Sequence, residues 1–247
     1  MANNRQEIRR RQKLNQRHQQ KVAAKRKKEQ KKAEVTLHRL IVDIDKHPHN
    51  YHTYYDLGTF LVELHNFTQA EELFMKALGL FAQKNQKARD TLTYGLANVY
   101  YAAGSFDKAI KYFNQVSDRK LKLDSYIMLS QSYMSKKDYK RAVLFALTAH
   151  NLRKQNPTVN SLLGANLLAL GDVKPASRFY RIALKADPQS GKINFNLGIC
   201  AMVLGMPFRK YFQQAKRLDR KYFDRGQKRL ADIERFIQIN RRKRNKR

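Results

Sequence analysis

Cys200 is the single thiol in 247 residues, and Ile199 and Ala201 flank it. A thiol attacks as its thiolate, which a neighbouring base or cation must generate, and no histidine lies near it in sequence. The segment therefore predicts a buried structural cysteine. His47, His49 and His52 gather around Pro48 and Asn50. Imidazoles ligate zinc, but no cysteine or carboxylate pattern accompanies these three, and they read as an exposed loop and helix start. No phosphate-cradling glycine loop, nucleophile elbow or zinc-protease helix is present. The expectation is a chain with no catalytic residue, no metal site and no cofactor, which disfavours a hydrolase or transferase.

What remains for chemistry is charge. Lys and Arg number 51 against 20 Asp and Glu, a formal net charge of +31. Such an excess goes far beyond what solubility requires and implies a polyanionic partner. Residues 1–32 hold thirteen basic side chains against Glu7 and Glu29. Arg9, Arg10, Arg11, Lys25, Arg26, Lys27 and Lys28 are candidate phosphate contacts there, as are Arg241, Arg242, Lys243 and Arg244 in the basic tail 241–247. The first 32 residues contain neither Gly nor Pro, yet Ile8, Leu14 and Val22 are too sparse for an apolar stripe, so a flexible or frayed-helical arm is expected. One cysteine precludes an intramolecular disulfide. With no apolar run of the roughly 18 residues a membrane span needs and no apolar region behind the charged N-terminus, the expected location is the cytoplasm. In a eukaryote the runs at 25–28 and 241–244 would serve as nuclear or nucleolar signals.

These groups need a frame, and the leucines supply it. Leu57, Leu96, Leu129, Leu163 and Leu197 are each followed by a small residue (Gly58, Ala97, Ser130, Gly164, Gly198), at gaps of 39, 33, 34 and 34. A period of this length predicts stacked helical hairpins, each burying its apolar face on its neighbours. The fourth unit is the clearest, with Leu163, Gly164, Leu167, Gly171, Ala176, Tyr180, Ala183 and Pro188. This pattern resembles the tetratricopeptide repeat. The resemblance covers residues 33–240 and implies an all-α, right-handed superhelical solenoid of antiparallel helix pairs. Its limits divide the chain into an arm (1–32), a half-repeat helix (33–50), five repeats (51–89, 90–122, 123–156, 157–190, 191–215), a capping helix (216–240) and a tail. The family's tryptophan position is Tyr54, Thr93, Tyr126, Asn160 and Asn194 here. The fifth repeat keeps its aromatic and small pair, Phe212 and Ala215, only if two residues are missing, with Pro207 starting its second helix.

Proteins of this family take a peptide in the concave groove, which the resemblance implies is lined here by Tyr55, Tyr94, Asn98, Tyr101 and Gln131. Second helices carry a recurring basic position, and Lys140, Lys174, Arg178 and Arg181 are expected to form a convex stripe. The sequence thus predicts a non-enzymatic scaffold that grips RNA or a ribonucleoprotein such as the ribosome through arms and stripe while the groove holds a protein segment. The rival reading is a protein-interaction adaptor for an acidic partner or one held at an anionic membrane surface.

Overall fold

Neither glycine nor proline interrupts residues 2–46, and the basic arm and the segment after it form one helix, α1 (Ala2–Lys46). It stops at His47, because a following proline disfavours helical backbone in the residue before it. The structure is a computed structural model that describes residues 2–244, with the side chains of Asn15 and of residues 19–235. Among these residues there are twelve α-helices and no strand. The expected contacts Arg9, Arg10, Arg11, Arg241, Arg242, Lys243 and Arg244 lie outside the described side chains. Two compact units, Met1–Ala88 and Arg89–Arg247, make up the chain.

The first unit packs α1 on α2 (Tyr51–Glu63) and α2 on α3 (Phe67–Phe81). Its core is Leu40 of α1, Tyr54, Leu57 and Leu61 of α2, and Ala70, Phe74 and Ala77 of α3. The small residue after the leucine has a clear cause here. A Cβ on Gly58 would lie 2.5 Å from the Phe74 ring, too close for any side chain. Asn50 caps α2, its Oδ1 accepting the His52 N–H at 3.1 Å.

The second unit holds α4 (Gln86–Ala102), α5 (Phe106–Gln115), α6 (Arg119–Ser135), α7 (Tyr139–Leu152), α8 (Pro157–Leu170), α9 (Val173–Ala186), α10 (Gly191–Val203), α11 (Arg209–Leu218) and α12 (Arg220–Arg244). The limits 32/33, 89/90 and 215/216 read from the sequence therefore fall inside α1, α4 and α11. Gly164 and Gly198 face Tyr180 and Phe212 as Gly58 faces Phe74. In the third repeat both partners are small, Ser130 and Ala146, and a polar link takes the place of the ring. The Ser130 hydroxyl donates to the Ala142 carbonyl at 2.8 Å and accepts from Asn166 Nδ2 at 2.9 Å. At the former tryptophan position, the buried Asn160 donates to the carbonyls of Lys154 and Asn156, tying the helix start to its loop.

One backbone feature repeats with the leucines. His65, Gly104, Lys137, Gly171 and Gly205 all take positive φ, between 61° and 88°, in the turn within each hairpin. Their gaps are again 39, 33, 34 and 34. Three of five are glycine, the residue that adopts this conformation without steric cost.

The fifth hairpin departs from the others. Phe212 lies against Gly198 and Ala215 is buried, as a two-residue shortening requires. Pro207, expected to open the second helix, precedes it, and α11 begins at Arg209. The missing residues come out of the helix's first turn, which is replaced by non-helical chain at Pro207 and Phe208. Beyond it, α12 lays Tyr222, Phe223, Leu230 and Ile233 on Phe195, Ile199 and Ala215. Among the described side chains its exposed residues, including Lys221, Asp224, Arg225 and Lys228, are polar apart from Ala231, as the last layer of a stack requires.

Candidate functional site

A period of 34 residues sets equivalent positions of successive first helices side by side. In the second unit this produces a cavity of about 430 Å³. Tyr101 of α4, Gln131 and Met134 of α6, Thr158, Ser161 and Ala165 of α8, and Lys192 and Ile193 of α10 line it, with Asp187 and Ser190 from the loop before α10. The volume falls within the range of about 300–1,000 Å³ typical of ligand sites. Hydroxyl, amide and phenol groups alternate with short apolar patches. That mixture hydrogen-bonds an extended backbone while accepting small apolar side chains. Lys192 stands exposed in the first turn of α10, whose cap is Ser190 Oγ accepting the Ile193 N–H.

Of the five residues expected to line the groove, Tyr101 and Gln131 line this cavity. Tyr94 and Asn98 are half-buried and do not; the Tyr94 ring packs edge-on against Phe113 with centroids 5.6 Å apart. Tyr55, in the first unit, packs in the same way on Phe74 at 6.0 Å. Sequence reasoning missed Thr158, Ser161 and Lys192. They were legible in principle, because Thr158 and Lys192 are one repeat apart and Ser161 lies one helical turn before Ala165, which follows the expected Gln131 by 34 residues. Further along the groove, Phe195 and Ile199 are covered by α12, and the lining ends there.

The cations of the second helices fall into two groups. On α5 and α7 Lys108, Lys111 and Arg141 are engaged. Lys108 lies 4.8 Å over the Tyr100 ring, which stacks on Tyr112, and Arg141 lies 5.1 Å over Tyr133, which stacks on Phe145. Arg141 also meets Asp138 at 2.6 Å, and Lys136 pairs with Asp107. On α9 the cations are open. Lys174, Arg178, Arg181 and Lys185 are exposed, α9 contains no acidic residue, and none of the four has an ion pair among the described residues. Lys140 of α7 is exposed too, but Leu144 and Leu147 follow it on the outer face, at 57% and 38% exposure, so the stripe is broken at that helix. Lys25, Arg26, Lys27 and Lys28 are exposed on α1, where Lys25 pairs with Glu29 at 3.8 Å.

Charge is also unequal along the chain between the basic arm and the basic tail. Residues 33–88 hold seven Asp and Glu against five Lys and Arg, whereas residues 89–235 hold eleven against 27. A cavity of about 310 Å³ in the first unit carries this acidic character, with Asp43, Asp56 and Glu63 on its wall beside Arg39 and Thr59.

Reactive groups are muted. Cys200 is buried, and burial pushes its thiol up to about 11, which leaves it protonated at neutral pH. His47, His49 and His52 are exposed, and no group of three or more His, Cys, Asp or Glu among the described residues is placed to hold a metal ion. No helix among them is long and apolar enough to cross a membrane.

Antiparallel helical hairpins at a 34-residue period, with small residues under aromatic ones and a lined inner face, define a helical-repeat protein of the hairpin type. The tetratricopeptide repeat matches residues 51–122 and again 94–156, and the chain carries tetratricopeptide repeats over that stretch. No curated protein sequence matches it. Among solved structures it is similar to PilF of Pseudomonas aeruginosa, at 18% identity and TM-score 0.63 over 78% of this chain and 87% of that one. YrrB, described as a TPR protein with an unusual peptide-binding site, is 17% identical with TM-score 0.56, over 74% of this chain and 93% of its own. MamA is 18% identical with TM-score 0.58, over 67% and 96%. At these identities the likeness is one of fold.

Proposed function

We propose that this chain is a cytoplasmic, non-enzymatic scaffold that seats an extended protein segment in the cavity of its second unit. Its open cations hold RNA or a ribonucleoprotein such as the ribosome. The observation that carries the polyanion is α9, whose four exposed cations have no acidic residue on their own helix and no ion pair among the described residues. An ordinary solvated helix face mixes signs. The exposed run 25–28 on α1 adds a second cationic surface with the same character. Contact would be to phosphate, because no element offers a base-reading code. For the protein segment, the support is the mixed lining between Tyr101 and Lys192, together with the peptide-binding site named for the structurally similar YrrB.

The test is binding of a structured RNA by nuclease-treated protein, followed by fluorescence anisotropy. If six to ten phosphates are neutralised, affinity falls by about 10³ to 10⁵ between about 50 and 200 mM salt. An adaptor for an acidic protein, the alternative reading, gives feeble RNA affinity at physiological salt. Lys192 on the cavity rim favours that alternative for the groove itself, and an acidic peptide series measured against the same protein separates the two.

A further inference from the structure

The helix that begins the first unit and the helix that ends the second are finished differently. The exposed residues of α12 among the described side chains are polar apart from Ala231, whereas α1 leaves Val35 64% and Ile41 43% exposed. Isolated exposed apolar residues are ordinary, but these two are placed symmetrically about His38, three residues before it and three after. The symmetry continues outward. Lys31 lies seven residues before His38 and Asp45 seven after, both exposed and neither in an ion pair among the described residues. Steps of three and seven return to one face of a helix.

We propose that this face of α1 binds the same face of a second copy of the chain, antiparallel, with the two-fold axis at His38. In that register Val35 of each copy packs on Ile41 of the other, and Lys31 of each meets Asp45 of the other. A parallel pair would oppose Lys31 to Lys31 and Asp45 to Asp45, so charge selects the antiparallel arrangement. A two-fold contact needs such a self-complementary patch. The antiparallel pair also sends the strongly basic residues 2–30 of the two copies in opposite directions, which limits repulsion between chains of +31 each. The contact is one helix wide, which places it among weak, concentration-dependent interfaces.

Sedimentation equilibrium on the nuclease-treated full chain tests this, in about 0.3 M salt, where long-range repulsion is screened. The weight-average mass should rise with concentration from 29.1 kDa toward twice that value. The double variant Val35→Lys with Ile41→Lys should stay monomeric, with unchanged helix content because both sites are exposed. Asp45→Lys alone should weaken association several-fold, and adding Lys31→Asp should restore it. A chain that stays monomeric at every concentration overturns the proposal, as does association that the double variant leaves intact. Failure of the charge swap to restore what Asp45→Lys loses overturns the antiparallel register.

Discussion

Neutralising Lys174, Arg178 and Arg181 together to Gln isolates the contribution of α9 to polyanion binding. All three are exposed and lack ion pairs among the described residues; the one contact recorded for Arg181 is a 3.9 Å approach to Met206 Sδ. Folding stability should therefore change by no more than about 0.5 kcal/mol per site. Binding should change far more. Each phosphate contact contributes about 0.7 to 0.9 to the slope of log affinity against log salt, so losing three lowers the slope by about 2 to 2.7. Over a fourfold rise in salt, from about 50 to 200 mM, the triple variant should lose about 20- to 40-fold less affinity than the intact chain. Fluorescence anisotropy with one labelled structured RNA at four salt concentrations reads both slopes. Parallel slopes for the two proteins would show that α9 touches no phosphate. The arms would then be the sole candidates, and the exposed cations of α9 would be a solvated face.

Three other expectations follow from the packing. Tyr180→Ala removes a fully buried ring from the fourth repeat and should cost about 3–5 kcal/mol, read as a lowered urea midpoint with little change in slope. Lys192→Glu reverses the exposed charge on the cavity rim and should shift peptide preference from acidic toward basic sequences while leaving RNA binding nearly unchanged; a parallel loss of both would mean that groove and polyanion surface are one site. The Cys200 thiol, raised to about 11 by burial, is almost wholly protonated and covered at pH 8, so a thiol reagent should label the native chain slowly and the urea-unfolded chain at once.

The leucine and small-residue columns were legible because they answer to a single contact repeated in each hairpin. Gly58, Gly164 and Gly198 each lie under an aromatic ring that leaves no room for a Cβ. The shortened fifth hairpin was legible for the same reason, since Phe212 and Ala215 must reach the same partners from a shorter helix. Its start was not. A proline favours the first turn of a helix, but here it sits in the non-helical approach to one, and the sequence alone does not distinguish the two places. The stripe was legible as composition and not as surface. A lysine or arginine recurs on every second helix, but on α5 and α7 several lie over tyrosine rings, Arg141 also meets the aspartate that caps its own helix, and Lys136 in the turn before α7 pairs with Asp107 of the preceding repeat. Those pairings depend on which faces stacking brings together. Tyr94 and Tyr55 are half-buried for a related reason, since a large amphipathic ring gains from packing edge-on against a neighbouring phenylalanine.

The difference in charge between the second unit and the stretch 33–88 of the first bears on how the proposed activities would combine. A polyanion attracts the second unit and repels the carboxylates of the first, Asp43, Asp56 and Glu63 among them, so phosphate contacts should not extend over α2 and α3. Val35 and Ile41 of α1 lie in that acidic stretch, and the pairing charges beside them are one lysine and one aspartate per copy. Bound RNA leaves such a pair neutral overall and lowers the repulsion between two highly cationic chains. Self-association and polyanion binding should therefore reinforce one another, each tightening the other by the same factor, because linkage between two equilibria is reciprocal. If a saturating structured RNA left the dimer constant of the chain unchanged, electrostatic repulsion between the copies would not be what limits their pairing.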